Sequence, residues 1–150
     1  MNSFGERLLS KKGLGILGCI LIILPLFLPV AVVSTSFLGT ELTRVVRWKD
    51  EPSNYLSIAF IVIICMAAVW KENIYTVVIT GIALVKQVIT FIMNYKDASN
   101  MVAKYNSEYG SDVFAVKIGT GGICFLVGCA IVLIALVFAL KDAIRATQNN

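Results

Sequence analysis

Four apolar runs, each about 20 residues long, dominate this sequence and are separated by short polar segments. They cover residues 14–33, 54–71, 74–95 and 118–140. A helix needs about 20 largely apolar residues to cross the roughly 30 Å of hydrocarbon in a bilayer. Backbone groups left unpaired in lipid are costly, so each run is expected to be helical. The sequence therefore predicts an all-α membrane protein, with residues 1–150 forming a single four-transmembrane-helix bundle.

The composition leads to the same class. Of the 150 residues, 58% are hydrophobic and 15% are charged, and the mean hydropathy is +0.84. A soluble domain of this size could not bury so much apolar side chain, because small domains have a high ratio of surface to volume. The net charge of +4 is spread over the loops, without a basic stripe or a nucleic-acid-binding motif. The lipid bilayer is therefore the expected partner, and nucleic acid is not.

Two prolines interrupt the first apolar run. Pro25 and Pro29 each remove a helical donor, so the helix either kinks there or ends near Phe27, with the chain leaving the membrane extended. Beyond them, two runs rich in Val and Thr flank residues 37–40. This pattern predicts a short extracellular β-hairpin between helices 1 and 2.

The other two connections differ in length. Residues 71–73 alone join the second and third runs, so these two helices are expected to be an antiparallel hairpin. The third connection, residues 96–117, is longer and polar. Its segment 99–109, which precedes Gly110, predicts a surface helix.

An even number of spans puts both termini on one side of the membrane. The basic residues divide equally: Arg7, Lys11, Lys12, Lys71, Lys141 and Arg145 on the terminal side, and Arg44, Arg47, Lys49, Lys96, Lys104 and Lys117 opposite. The first helix usually decides orientation, and Lys11 and Lys12 directly precede it. We therefore predict a multi-pass protein of the plasma (inner) membrane with both termini cytoplasmic.

The most unusual residue is Lys86, near the middle of the third run. A central lysine costs about 2.5–3.5 kcal/mol on insertion scales. Lys86 lies roughly 12 Å from the outer end of the run, whereas a lysine stem reaches about 6 Å. Its side chain is therefore predicted to point into a polar interior or to a partner.

Polar residues near Lys86 recur at helical spacing. Thr80, Gln87 and Thr90 share one seam, with Lys86 on its flank. Such a seam normally faces other helices, where small and polar side chains allow close approach. The alternative is that it lines a wet pathway. The candidate functional or partner-binding residues are thus Lys86, Gln87, Thr90 and Thr80.

The fourth run offers a face of small residues. Gly121, Gly128 and Ala135 fall at helical spacing and predict a helix-packing face against span three or against a second copy of the chain. The four cysteines lie inside apolar runs and are interpreted as small apolar residues. Histidine is absent, which excludes Ser-His and Cys-His catalysis. No enzymatic activity, metal or cofactor is expected.

A family resemblance rests on short motifs. The first span closes in Phe27-Leu28-Pro29, a Val/Ser/Thr-rich segment with Leu38-Gly39 follows, and the fourth span is rich in glycine. This order resembles small four-helix integral membrane proteins of Gram-positive bacteria, which have no assigned function. The helix count and loop order are also similar to those of claudin-like four-span proteins. However, the cysteine pair that those proteins carry in the first loop is absent, so that reading is rejected.

These observations favour a non-enzymatic membrane protein that acts through protein or lipid contacts, as an accessory, immunity or envelope-defence component. It is expected to associate with itself or with another membrane protein. The alternative hypothesis is a small oligomeric channel or transporter, whose pathway is lined by span three around Lys86.

Overall fold

The computed structural model describes residues 10–37, 40–47, 52–71, 73–109 and 113–148. It is mostly helical, as predicted, with a small sheet in addition. The helices are α1 (Lys11–Ile23), α2 (Pro52–Lys71), α3 (Ile74–Tyr109) and α4 (Thr120–Gln148), and the strands are β1 (Ala31–Phe37), β2 (Thr40–Val46) and β3 (Phe114–Ile118). Two helices, α3 and α4, are long and apolar enough to cross a membrane; the apolar part of α2, Tyr55–Lys71, is shorter.

Helix α1 occupies only the first part of the predicted 14–33 segment. Its N-cap is Ser10, whose side chain accepts a hydrogen bond from the Gly13 amide. The α-helix ends at Ile23 and is followed by a 3-10 turn, Leu24–Leu26, that contains Pro25. Of the two alternatives that the prolines left open, the helix therefore ends near Phe27 and does not kink, because proline cannot continue the α-helical hydrogen bonding.

The three strands form one antiparallel sheet in the order β2-β1-β3. Strands β1 and β2 pair from Ala31↔Val46 to Phe37↔Thr40, which is the predicted hairpin; its connection, residues 38–39, lies outside the described residues. Strand β3 was not predicted. It pairs with the other edge of β1, for example Thr35↔Phe114, and so joins the third connection to the first.

Helix α3 is longer than the predicted span 74–95. It has 36 residues and is therefore about 54 Å long. Residues 82–109 contain neither glycine nor proline, so nothing in the chain breaks the helix before Tyr109. The surface helix predicted over 99–109 is thus the continuation of the third apolar helix, and only the remainder of the 96–117 connection is a loop and a strand.

The tightest helix contact joins α1 to α4. A Cβ added at Gly18 would lie 2.5 Å from Cγ2 of Val132 and 2.9 Å from the Gly128 carbonyl oxygen. A Cβ at Gly121 would lie 2.8 Å from the Leu28 carbonyl oxygen, and Ala135 is fully buried. Through Gly121 and Gly128, the small-residue face of α4 therefore packs on the first apolar segment and not on α3. The glycines of α1 are the reason, since they let the two backbones approach.

Candidate functional site

A cleft lies between the sheet and the C-terminal half of α3. The part nearer the C-terminal end of α3 is called the upper part. It has a volume of about 810 Å³ and is lined by Met101, Tyr105, Tyr109 and Phe114, among others. The lower part, of about 440 Å³, is lined by Ser57, Gln87, Thr90, Asn94 and Tyr95, among others. Val33, Ala98 and Val116 line both parts, so the two adjoin. We call the whole the sheet–helix cleft.

The alternation of side chains along the strands makes one sheet face mainly apolar. Because successive residues of a strand point to opposite faces, the registered pair Val33 and Val116 lies on one face, and Ser34 and Ala115 lie on the other. Arg44 of β2 is registered with Val33 and lies on the first face as well. Val33 and Val116 line the cleft. The mainly apolar face of the sheet therefore forms one wall of the cleft, and α3 forms the wall opposite.

Two side chains of α3 hold the outer edge of β3. The Asn106 amide donates from Nδ2 to the Phe114 carbonyl oxygen at 2.9 Å, and its Oδ1 accepts from the Phe114 amide at 3.0 Å. One amide side chain thus replaces a neighbouring strand. Lower down, the Tyr95 hydroxyl donates to the Val116 carbonyl oxygen at 3.4 Å. These bonds fix the sheet against α3 and set the width of the cleft.

The upper part of the cleft is apolar and open. None of the described residues that line it carries a charge. Met101 is 60% exposed and Tyr109 is 70% exposed, while the Tyr105 and Phe114 rings lie 6.1 Å apart. An open apolar cleft of this kind can accept apolar side chains. The polar side-chain groups of its described lining are the hydroxyls of Ser36, Tyr105 and Tyr109.

The lower part of the cleft carries uncharged polar groups. Gln87 is half-buried, and the Thr90 hydroxyl donates to the Lys86 carbonyl oxygen within α3 at 3.0 Å. Asn94 stands one turn above Thr90 and lines the same space. The amides of Gln87 and Asn94 can hydrogen-bond to the backbone of a ligand that enters through the upper part of the cleft.

The structure separates the four candidate residues of α3. Gln87 and Thr90 line the cleft. Thr80 is buried; its hydroxyl donates to the Thr76 carbonyl oxygen at 2.7 Å and lies 3.4 Å from that of Ile64 in α2. Thr80 therefore belongs to a helix–helix contact, as one interpretation of the seam predicts.

Lys86 lies apart from the other three. It is exposed, next to the exposed side chains of Val85 and Ile89. The prediction that it points into a polar interior of the bundle is therefore wrong for the single chain, because a rotation of about 100° per residue carries Lys86 away from the cleft that Gln87 lines. Its second predicted role, contact with a partner, stays a prediction.

The apolar upper cleft was missed by the sequence analysis. Ala98, Val102, Tyr105 and Tyr109 recur at helical spacing, which is the signal of an amphipathic helix. The polar residues between them instead favour a surface loop with a separate helix.

No group of three or more His, Cys, Asp or Glu side chains among the described residues could hold a metal ion. Cys19, Cys65 and Cys129 are free and buried, within the apolar core of the bundle. The sheet–helix cleft is therefore the feature of the described chain best suited to binding.

No protein-family model matches the chain, and no curated protein matches it. Its function has to be inferred from the geometry of the cleft and from the chemistry of the surface.

Proposed function

We propose that the chain is a non-enzymatic multi-pass protein of the plasma membrane that binds an apolar segment of a partner protein in the sheet–helix cleft. Four helices cross the bilayer, the sheet and the end of α3 stand outside the cell, and both termini are cytoplasmic. An accessory, immunity or envelope-defence role would use this kind of binding.

The exposed surface of the bundle supports four spans. All four helices, including the shorter α1 and α2, expose large apolar side chains on their outer faces: Ile16 and Ile20, Phe60 and Ile63, Ile79 and Ile82, and Val137 and Phe138. Exposed apolar surface on this scale is uncommon in soluble monomers. Lipid removes its cost, because hydrocarbon is a favourable environment for these side chains.

The arrangement of charge supports the orientation. At the terminal end, Lys12 Nζ lies 5.8 Å from the Trp70 ring centroid, and Lys11 pairs with Asp142 at 2.7 Å. These basic residues therefore lie at the helix ends, close to the bilayer. At the other end, Lys96 and Lys117 directly flank the third and fourth apolar runs, so the basic residues near the membrane divide equally. The first helix usually decides the orientation, and Lys11 and Lys12 at its start favour cytoplasmic termini.

The length of α3 beyond its apolar part is the observation that carries the proposal. Helix α3 continues for 14 residues beyond Tyr95, about 21 Å, and this extension carries Lys96, Asp97, Lys104 and Glu108. The upper cleft therefore lies in the aqueous phase, outside the layer that the lipid tails occupy. A groove whose described lining is aromatic and uncharged fits, at that height, the apolar side chains of a polypeptide.

A photocrosslinking amino acid at Met101, inside the cleft, tests this proposal in intact cells. We expect a protein adduct of one defined mass. The substitution Ala98→Trp fills the cleft and should reduce the adduct about tenfold or more, the effect of losing about 1.4 kcal/mol of binding. Ala103→Trp is the matched control, because Ala103 is exposed on the same helix and is not a lining residue.

The mass and the yield of the adducts distinguish the possible occupants of the cleft. Adducts that carry only lipid mass would show that the occupant is an acyl chain. Equal adduct yields from the Ala98→Trp and Ala103→Trp variants would show that the partner does not enter the cleft.

A further inference from the structure

A second, smaller crevice lies at the opposite end of the molecule, between α1 and the end of α4. Its volume is about 340 Å³, and it is lined by Lys11, Phe138, Lys141, Asp142 and Arg145. Its described lining shares no residue with that of the sheet–helix cleft.

The crevice has an excess of positive charge. Lys11 Nζ lies 2.7 Å from Oδ2 of Asp142, and this hydrogen bond holds the pKa of the Asp142 carboxyl below its ordinary value. The carboxylate is therefore ionised at neutral pH. Lys141 and Arg145 are exposed and, four residues apart, project from the same side of α4. Among the described residues that line the crevice, three are basic and one is acidic.

The wall on the membrane side of the basic residues is apolar. Phe138 is 46% exposed and lines the crevice, one helical turn before Lys141. Ile134, one further turn toward the bilayer centre, is 50% exposed. A cation pair at the membrane surface with an apolar strip directly below it matches the two parts of a phospholipid, a charged headgroup and an acyl chain.

We propose that this crevice binds one anionic phospholipid of the cytoplasmic leaflet. Lys141 and Arg145 hold the phosphate oxygens, Arg145 being able to do so with two parallel hydrogen bonds, and the acyl chain follows Phe138 and Ile134. Basic pockets between transmembrane helices on the cytoplasmic side bind headgroups in this way. The inference rests on the proposed membrane orientation but is independent of what occupies the sheet–helix cleft.

Native mass spectrometry of the full chain, released from detergent with phosphatidylglycerol or phosphatidylcholine, tests the site. The native chain should retain one phosphatidylglycerol in preference to phosphatidylcholine. The double variant Lys141→Gln, Arg145→Gln should bind phosphatidylglycerol about 30-fold more weakly, the effect expected of two basic groups near an anionic surface. Lys96→Gln with Lys104→Gln removes the same charge at the other end and should leave retention unchanged.

A third variant is expected to strengthen phosphatidylglycerol binding, whereas the double variant weakens it. Asp142→Asn removes the acidic group of the described crevice lining and with it the repulsion between this carboxylate and a bound phosphate, so phosphatidylglycerol should bind more tightly. Weaker binding by Asp142→Asn, or equal losses from the two double variants, would overturn the proposal. Displacement of the lipid by inorganic phosphate would also overturn it, since the acyl chain would then have no part in binding. Crosslinking at Met101 tests the cleft separately from these results.

Discussion

Gly128→Ala is expected to destabilise the helix bundle by about 3 kcal/mol, the upper range for overpacking a tight contact. The added Cβ would lie 2.8 Å from Cβ of Leu21 and 2.9 Å from the Gly18 carbonyl oxygen. Neither atom is the end of a flexible side chain, so the new methyl group must push α1 and α4 apart. Denaturant titration of the purified protein in micelles, followed by circular dichroism, measures the loss.

Gly81→Ala is the matched control for this substitution. Gly81 lies inside α3, and a Cβ added there would meet nothing within 4 Å. Alanine is favoured over glycine within a helix by about 1 kcal/mol, so Gly81→Ala should leave stability unchanged or higher. Similar stabilities for the two variants would show that α1 and α4 do not pack through Gly18 and Gly128.

Asn106→Ala is expected to release β3 from α3, with a cost of about 2 kcal/mol. The Phe114 amide and carbonyl would both lose their partner on the outer edge of the sheet. Hydrogen exchange should therefore become much faster at the Phe114 amide.

Ser107→Ala provides the comparison. The Ser107 hydroxyl is exposed and donates only to the Lys104 carbonyl oxygen of its own helix, so its loss should change stability by less than about 0.5 kcal/mol. Unchanged protection of the Phe114 amide in Asn106→Ala would mean that the sheet is held by β1 alone.

The sequence predicted the elements whose signal is local. Apolar length located the helices, and the Val/Thr alternation located the β1–β2 hairpin. Strand β3 could not be found in this way, because Phe114 pairs with Thr35 across most of the chain, and no local pattern records such a partner. The true end of α3 was hidden by Lys96 and Asp97, which are compatible with a helix but resemble the start of a loop.

The candidate residues show the same limit, because a local pattern does not identify what a side chain contacts. Depth along a helix can be counted from the sequence, and Lys86 does lie in the middle of the apolar part of α3. The direction in which a side chain points around the helix depends on the neighbouring elements. The sheet and α2 lie next to Gln87, whereas Lys86 faces outward. The small face of α4 was likewise recognised, but its partner was not, since that choice depends on the glycines at positions 15 and 18 of α1.

The proposed four-span arrangement requires α4 to cross the bilayer, and two exposed helix positions on either side of it test this directly. Lys104 lies on the extension of α3, and Gln148 is the last residue of α4. In intact cells, an impermeant thiol reagent should label Lys104→Cys and not Gln148→Cys, with the native chain giving the baseline. Permeabilised cells should label both variants. Labelling of both positions in intact cells would contradict four spans, and labelling of Gln148→Cys alone would reverse the proposed orientation.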